Sequence, residues 1–367
     1  MRQRVQWIDA AKGIGILLVL LGHAPRDIMR ADYTWIDFCY YFIYTFHMHF
    51  FFFLSGYVFA LSSDGRGQQS FLVFLKGKLR GLLVPWAIFS LLVYGVIFLL
   101  NQIPFAASLT AGTILRPIPF GEYLTQSIAG SNPYCTHVWY MYTLFFVQIL
   151  VYLLREICRK IMGRQREPLA FWIGLELLAS LLYLFLPVEL PVAVSVKGYV
   201  LYFLLGVICC RIRRDRSGQG SGRVSGRFPF WALPGPLLCG INVLAVDMGF
   251  LEGAAARMLV SCFAVFLGAP LVIALLVWIS RSVSGNRVLL WFGRNSFTIY
   301  LLHQPFACAV LGTVLTMLLP QTLPFYLLTM AACIGASVVF PVLVVKIADK
   351  IGLGGCVRVL TGGRANG

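Results

Sequence analysis

Runs of about 20 apolar residues recur along this 367-residue chain, and they restrict its fold more than any other feature. In a bilayer every backbone N–H and C=O needs a partner within the protein, so only helices and closed barrels span it. A barrel would show short segments of alternating hydrophobicity. The runs here are long and unbroken. Composition agrees, with 59% hydrophobic and only 12% charged residues, against about 25% charged in a soluble domain. The sequence predicts an all-α, polytopic transmembrane helical bundle. About ten spans fall at roughly 9–27, 36–61, 81–101, 137–154, 168–187, 194–210, 229–249, 258–280, 296–318 and 324–345. The membrane domain is expected over 1–350, with a short cytoplasmic tail over 351–367. The "MRQR" start followed by an apolar run is like a secretory signal. Asp9 and Lys12 interrupt that run and further spans follow, so it reads as a retained first helix.

The formal charge of +16 belongs to this topology. With the N-terminus inside, the outer segments hold only Arg26, Arg30, Arg116, Lys197 and Arg257, and Lys12 lies within a span. The remaining Lys and Arg all fall inside. That bias places both termini in the cytoplasm. No basic face belongs to a soluble domain, so no nucleic-acid partner is expected; the expected partner is the lipid bilayer. Trp7, Trp35, Trp172, Trp231, Trp278 and Trp291 sit near span ends, as in an interfacial belt. The ten cysteines form no CxxC pair or Cys/His ligand spacing, so no metal is expected. The outer segment 102–135 has enough Pro and Gly to prevent a long helix and can fold back onto the bundle. The loop "RIRRDRSGQGSGRVSGRF" reads as flexible.

Polar residues inside spans are costly, and function is the default hypothesis for them. In "WIDAAKGIGILLVLLGH", Lys12 and His23 are eleven residues apart, three full turns and ~16 Å along one face. Asp9 can pair with Lys12. Gly13, Gly15 and Gly22 allow close approach of a neighbour. A structural ion pair with a satisfied histidine is the bland alternative. In "DFCYYFIYTFHMHFFFFLSGY", Asp37, Tyr40, Tyr44, His47 and Ser55 fall within an arc of about 80°. His49 lies roughly 160–200° away, so His47 is the functional candidate. In "FLKGKLRGLLVPW", Lys76, Lys78 and Arg80 are either snorkelling anchors or a receiver for a polyanionic ligand. In "GRNSFTIYLLHQP", Ser296, Tyr300 and His303 share a face, and Asn295 is placed to cap the helix. His137 either lines an outer entrance or is solvated.

These stretches, with "HVWYMYTLFFVQ", resemble the acyltransferase 3 family of integral membrane acyltransferases, in particular its fucose 4-O-acetylase-like branch. They occur in the family's order over nearly the whole chain. Many members have Arg where this chain has Lys12, and many have Pro where His49 stands. The resemblance implies a cytosolic acyl-CoA donor, usually acetyl-CoA, with no tightly bound cofactor. It implies an acceptor hydroxyl on a carbohydrate, glycolipid or other envelope component, and a cell membrane location of the bacterial inner-membrane kind. By position, Lys12 and His23 match the family's first motif, His47 its second-span motif, and Arg80 with its neighbouring lysines the cytoplasmic basic motif. A neutral imidazole accepts a proton near physiological pH. The oxyanion of acyl transfer needs a donor, for which Lys12, Tyr44 and His47 are candidates. Two other readings are a proton-coupled secondary transporter and a non-catalytic scaffold. A transporter would show repeat symmetry between its halves, and none is visible here.

Overall fold

A computed structural model of the chain describes residues 5–63, 70–104, 116–163, 167–217 and 228–360. Among the described residues the structure is helical, without strands. In chain order the helices used below are α1 (Gln6–His23), α2 (Asp27–Asp32), α3 (Thr34–Tyr44), α4 (His47–Ser63), α5 (Phe71–Leu100), α6 (Phe120–Ala129), α7 (Trp139–Met162), α8 (Leu169–Phe185) and α9 (Pro191–Ser217). Then come α10 (Phe230–Asp247), α11 (Ala254–Ser282), α12 (Arg287–Leu302), α13 (Leu311–Leu318), α14 (Leu323–Lys350) and α15 (Gly354–Leu360).

Seven helical segments among the described residues are long and apolar enough to cross a membrane. The pair Arg287–Pro305 and Ala307–Leu318, bent by 49°, makes an eighth when counted as one span. The other two expected spans are also helices: α1, whose run Asp9 and Lys12 interrupt, and α8, of 17 residues.

Local chemistry explains where these helices break. The second span is divided at Thr45 and Phe46. There the Thr45 hydroxyl donates to the Phe42 carbonyl at 2.7 Å, and the His47 ring reaches the Ile43 carbonyl at 2.8 Å. Two side chains thus enter the backbone ladder, a recognised cause of kinks. In α5 the residues Leu79–Leu83 form a π turn just before Pro85. Proline lacks an N–H and its ring crowds the carbonyl four residues back, and a wider turn relieves that. The 49° bend follows Gln304, which is extended at φ −121°, ψ 151°. A residue preceding proline is pushed toward that region.

The chain divides into two compact units, one of Met1–Ala60 and Leu205–Val342, the other of Leu61–Leu204 and Leu343–Asn366. In the first, α1 and α12 run parallel and touch backbone to backbone. A Cβ at Gly13 would meet the Leu289 carbonyl, and one at Gly293 would meet the Asp9 carbonyl. Ala10, Ala11, Ile16, Val19 and Leu20 are buried on α1. A second small core joins Met29, Ile36 and Tyr326, and the Tyr326 hydroxyl donates to Asp32 at 2.6 Å.

In the second unit, Arg155 and Arg159 of α7 face Glu156 and the fully buried Glu167. The segment expected to lack a long helix contains the ten-residue α6, preceded by Pro119 and ended by Gly130 at φ 97°. It folds back within this unit: Tyr123 donates to the Ser90 carbonyl at 2.7 Å, and Tyr142 to the Ile128 carbonyl at 2.8 Å. Residues 354–360 of the expected tail form α15, which packs on α5. The expected flexible loop lies, for residues 218–227, outside the described residues.

Candidate functional site

The last residue of α1 is His23. The same parallel register that sets Gly13 level with Gly293 sets His23 level with His303. The two imidazole centroids lie 5.2 Å apart. Gly22 lets the Tyr44 ring lie against α1, where a Cβ would stand 3.1 Å from its edge. The Tyr44 hydroxyl meets His23 Nδ1 at 3.3 Å, and its ring centroid is 4.8 Å from His47. Tyr40 packs 4.3 Å from Tyr44. The Arg30 guanidinium lies 3.6 Å over the Tyr40 ring and bonds Asp37 at 2.8 Å. The Cys308 thiol donates to the His23 carbonyl at 3.1 Å, satisfying one of the acceptors left at a helix end.

Tautomers follow from these partners. His47 Nδ1 faces the Ile43 carbonyl at 2.8 Å, and His303 Nδ1 faces the Tyr300 carbonyl at 2.7 Å. A carbonyl only accepts, so both rings carry their proton on Nδ1. A neutral His47 then has no N–H left to stabilise an oxyanion, which removes it from that role. His47 is 2% exposed and His303 0%, whereas His23 retains part of its surface. Of the three histidines, His23 is the one that is not fully buried.

Residues 5–342 match the family model described as an acyltransferase domain, acyltransferase 3. The chain belongs to that family. No curated protein and no solved structure matches it. The protein is a membrane acyltransferase, and the match spans both ends of α1 and all three histidines.

Other expected site residues of this acyltransferase fall elsewhere. Asp9 and Lys12 pair at 3.9 Å, partly exposed, where ion pairing is worth only about 0–1 kcal/mol. They sit at the opposite end of α1 from His23, ~16 Å away, so Lys12 does not reach an oxyanion formed beside His23. Lys76 and Arg80 are exposed on α5, and Lys78 lies 5.1 Å from the Phe74 ring.

Asn295 does not cap its helix. The helix starts eight residues earlier, where Asn286 accepts from Val288 and Leu289. Asn295 instead bonds the Trp291 carbonyl, and Ser296 the Gly293 carbonyl. His137 is buried against Phe89 rather than solvated. His49 lies about 200° round the helix from His47. Among the described residues no His, Cys, Asp and Glu side chains are grouped to hold a metal ion.

Sequence reading missed Arg30 and Cys308. Arg30 had counted only as an outer charge. Its one visible signal was Asp37 seven residues on, a spacing that means little until the turn at Tyr33 folds α2 onto α3.

Proposed function

We propose that this acyltransferase moves an acetyl group from cytosolic acyl-CoA to a hydroxyl of a sugar or other cell-envelope acceptor, with His23 as general base. The observation that carries the reading is His23 itself. It keeps open surface beside two buried histidines and has one ring nitrogen engaged by Tyr44.

In this role Nδ1–H donates to the Tyr44 oxygen, which leaves the Nε2 lone pair for the acceptor hydroxyl. Nε2 takes the hydroxyl proton as the oxygen attacks the thioester carbonyl. The tetrahedral intermediate collapses, the C–S bond breaks, and the thiolate leaves with the proton returned from His23. The Tyr44 hydroxyl hydrogen is a donor within reach of the developing oxyanion. His303 and His47 hold the His23–Tyr44 pair in place. The exposed Lys76 and Arg80, with the half-buried Lys78 between them, raise the local concentration of a polyanionic donor. The fucose 4-O-acetylase-like motifs favour a sugar or glycolipid acceptor.

The test uses purified protein in nanodiscs with radiolabelled acetyl-CoA and envelope glycolipids. The expected result is release of free CoA matched by label in the glycolipid. Absence of thioester turnover with any acyl-CoA, from acetyl to palmitoyl, would reject the donor assignment.

A further inference from the structure

We propose that Arg281 and Arg213 form a phosphate-binding site at the end of the first unit where α1 begins. Four elements of that unit meet there. Trp7 stands in the first turn of α1 and Arg281 in the last turn of α11. Tyr57 comes from α4, and Arg213 from the latter part of α9. The Arg281 guanidinium lies 4.8 Å from the Trp7 ring centroid. Trp7 and Tyr57 meet edge to face at 5.0 Å, and both are buried, so the floor of the site is aromatic. Arg281 lies beside Tyr57 and within the field of Arg213.

The arrangement lacks a counter-charge for Arg281. Its Nε is buried and has no hydrogen-bond partner. Among the described residues no carboxylate pairs with it, and the acid of this part of α1, Asp9, faces Lys12. Arg281 and the neighbouring Arg213 repel each other, and withdrawing the Arg281 cation from water without an anion is costly. A dianionic phosphate reverses both penalties. It accepts two parallel N–H bonds from a guanidinium fork, and Arg281 Nε is one of the donors left to give.

The dimensions fit the acyl donor, an assignment that rests on the reading above. Trp7 and His23 are the two ends of one helix, ~24 Å apart. The chain of a coenzyme A from diphosphate to sulfur is as long as about five extended residues, ~18 Å. A contact of about 3 Å at each end completes the span and delivers the thioester carbonyl to His23. An anionic lipid headgroup offers the same phosphate chemistry, so the experiment separates the two sources.

Arg281→Gln, Arg281→Lys and Arg213→Gln are purified in phosphatidylcholine nanodiscs, with and without phosphatidylglycerol. The KM for acetyl-CoA is compared with that for S-acetyl-pantetheine, which has no phosphate. Binding of CoA itself is followed by calorimetry, which reads the site even if acetyl transfer from CoA is not the reaction. Arg281→Gln is expected to weaken acetyl-CoA and CoA about tenfold or more, with kcat and the acetyl-pantetheine KM unchanged and Arg281→Lys intermediate. Loss of the stabilisation by phosphatidylglycerol with unchanged CoA affinity would keep the phosphate site and assign it to lipid. Unchanged CoA affinity and unchanged lipid stabilisation in Arg281→Gln would overturn it. If that variant does not fold, the same result in Arg213→Gln and Arg281→Lys overturns it.

Discussion

Arg155 and Arg159 in the second unit, and Arg281 in the first, are guanidiniums drawn into the protein near helix ends, and their surroundings differ. Arg155 bonds Glu156 at 2.9 Å and lies 3.8 Å from Glu167, and Arg159 binds both of those acids. Every formal charge in that group has an opposite within reach. Arg281 has an aromatic ring on one side, another arginine near it, and a buried Nε with nothing to donate to. One polar group farther along each unit repeats the contrast. Asn132 in the second unit donates to Tyr123 and Ser127 and accepts from Tyr134 and Cys135 backbone N–H, while Tyr123 passes its own hydrogen to Ser90. In the first unit, His23 has one nitrogen engaged and surface to spare. Closed networks hold a fold together. Networks that end on an unused donor or acceptor have somewhere to put a ligand.

That distinction is open to direct attack. The largest effect is expected at His23. His23→Ala should lower acyl transfer by about 10²–10⁴-fold, as loss of a general base does, with thermal stability near that of the wild type. Near-normal turnover by the folded variant would show that the open network of the first unit is not the reacting one. His49→Ala should be milder than His47→Ala, and the reverse order would place the working face of the second span on the other side.

Glu167→Gln should do the opposite, costing stability rather than chemistry. Removing one partner of a buried ion pair typically costs about 3–5 kcal/mol. Denaturation of the variant in mild detergent should shift accordingly, while turnover per folded molecule stays within a few-fold. A selective loss of turnover would mean that this closed network also serves catalysis.

Asn132→Ala is the smaller structural case. It leaves buried backbone donors at Tyr134 and Cys135 unpaired, which costs about 1–3 kcal/mol. Protease cleavage between α5 and α7 should quicken in consequence, with little change in KM.

The smallest effect is expected at Arg80. It is exposed on α5, where a single charge acts by attraction rather than by contact. Arg80→Gln should raise the acetyl-CoA KM only a few-fold, and that increment should disappear in high salt, since screening shortens to about 3 Å at 1 M. A salt-insensitive change as large as that of Arg281→Gln would make α5 the main donor contact instead.

Much of this protein is legible in its sequence. Ten apolar runs were expected as helices, and each described one is helical. The spacing of Asp9, Lys12 and His23 placed an ion pair at one end of α1 and an imidazole at the other, because a helix has a fixed pitch and a residue's face follows from its number. The same rule grouped Tyr40, Tyr44 and His47, and the kink at Thr45 did not undo it. Periodicity says nothing about which helix lies alongside, or at what height. That His303 stands 5.2 Å from His23 depends on Gly13 and Gly293 letting two backbones touch in one register. That Arg281 lies over Trp7 depends on where α11 ends relative to where α1 starts. Asn295 was misread for the same reason: its helix begins at Arg287, a boundary set by Asn286 and by packing rather than by the motif that contains Asn295. The chain alone determined its helices and their faces. Close contact between helices far apart in sequence, governed by side-chain volume rather than by spacing, decided which of those faces meet.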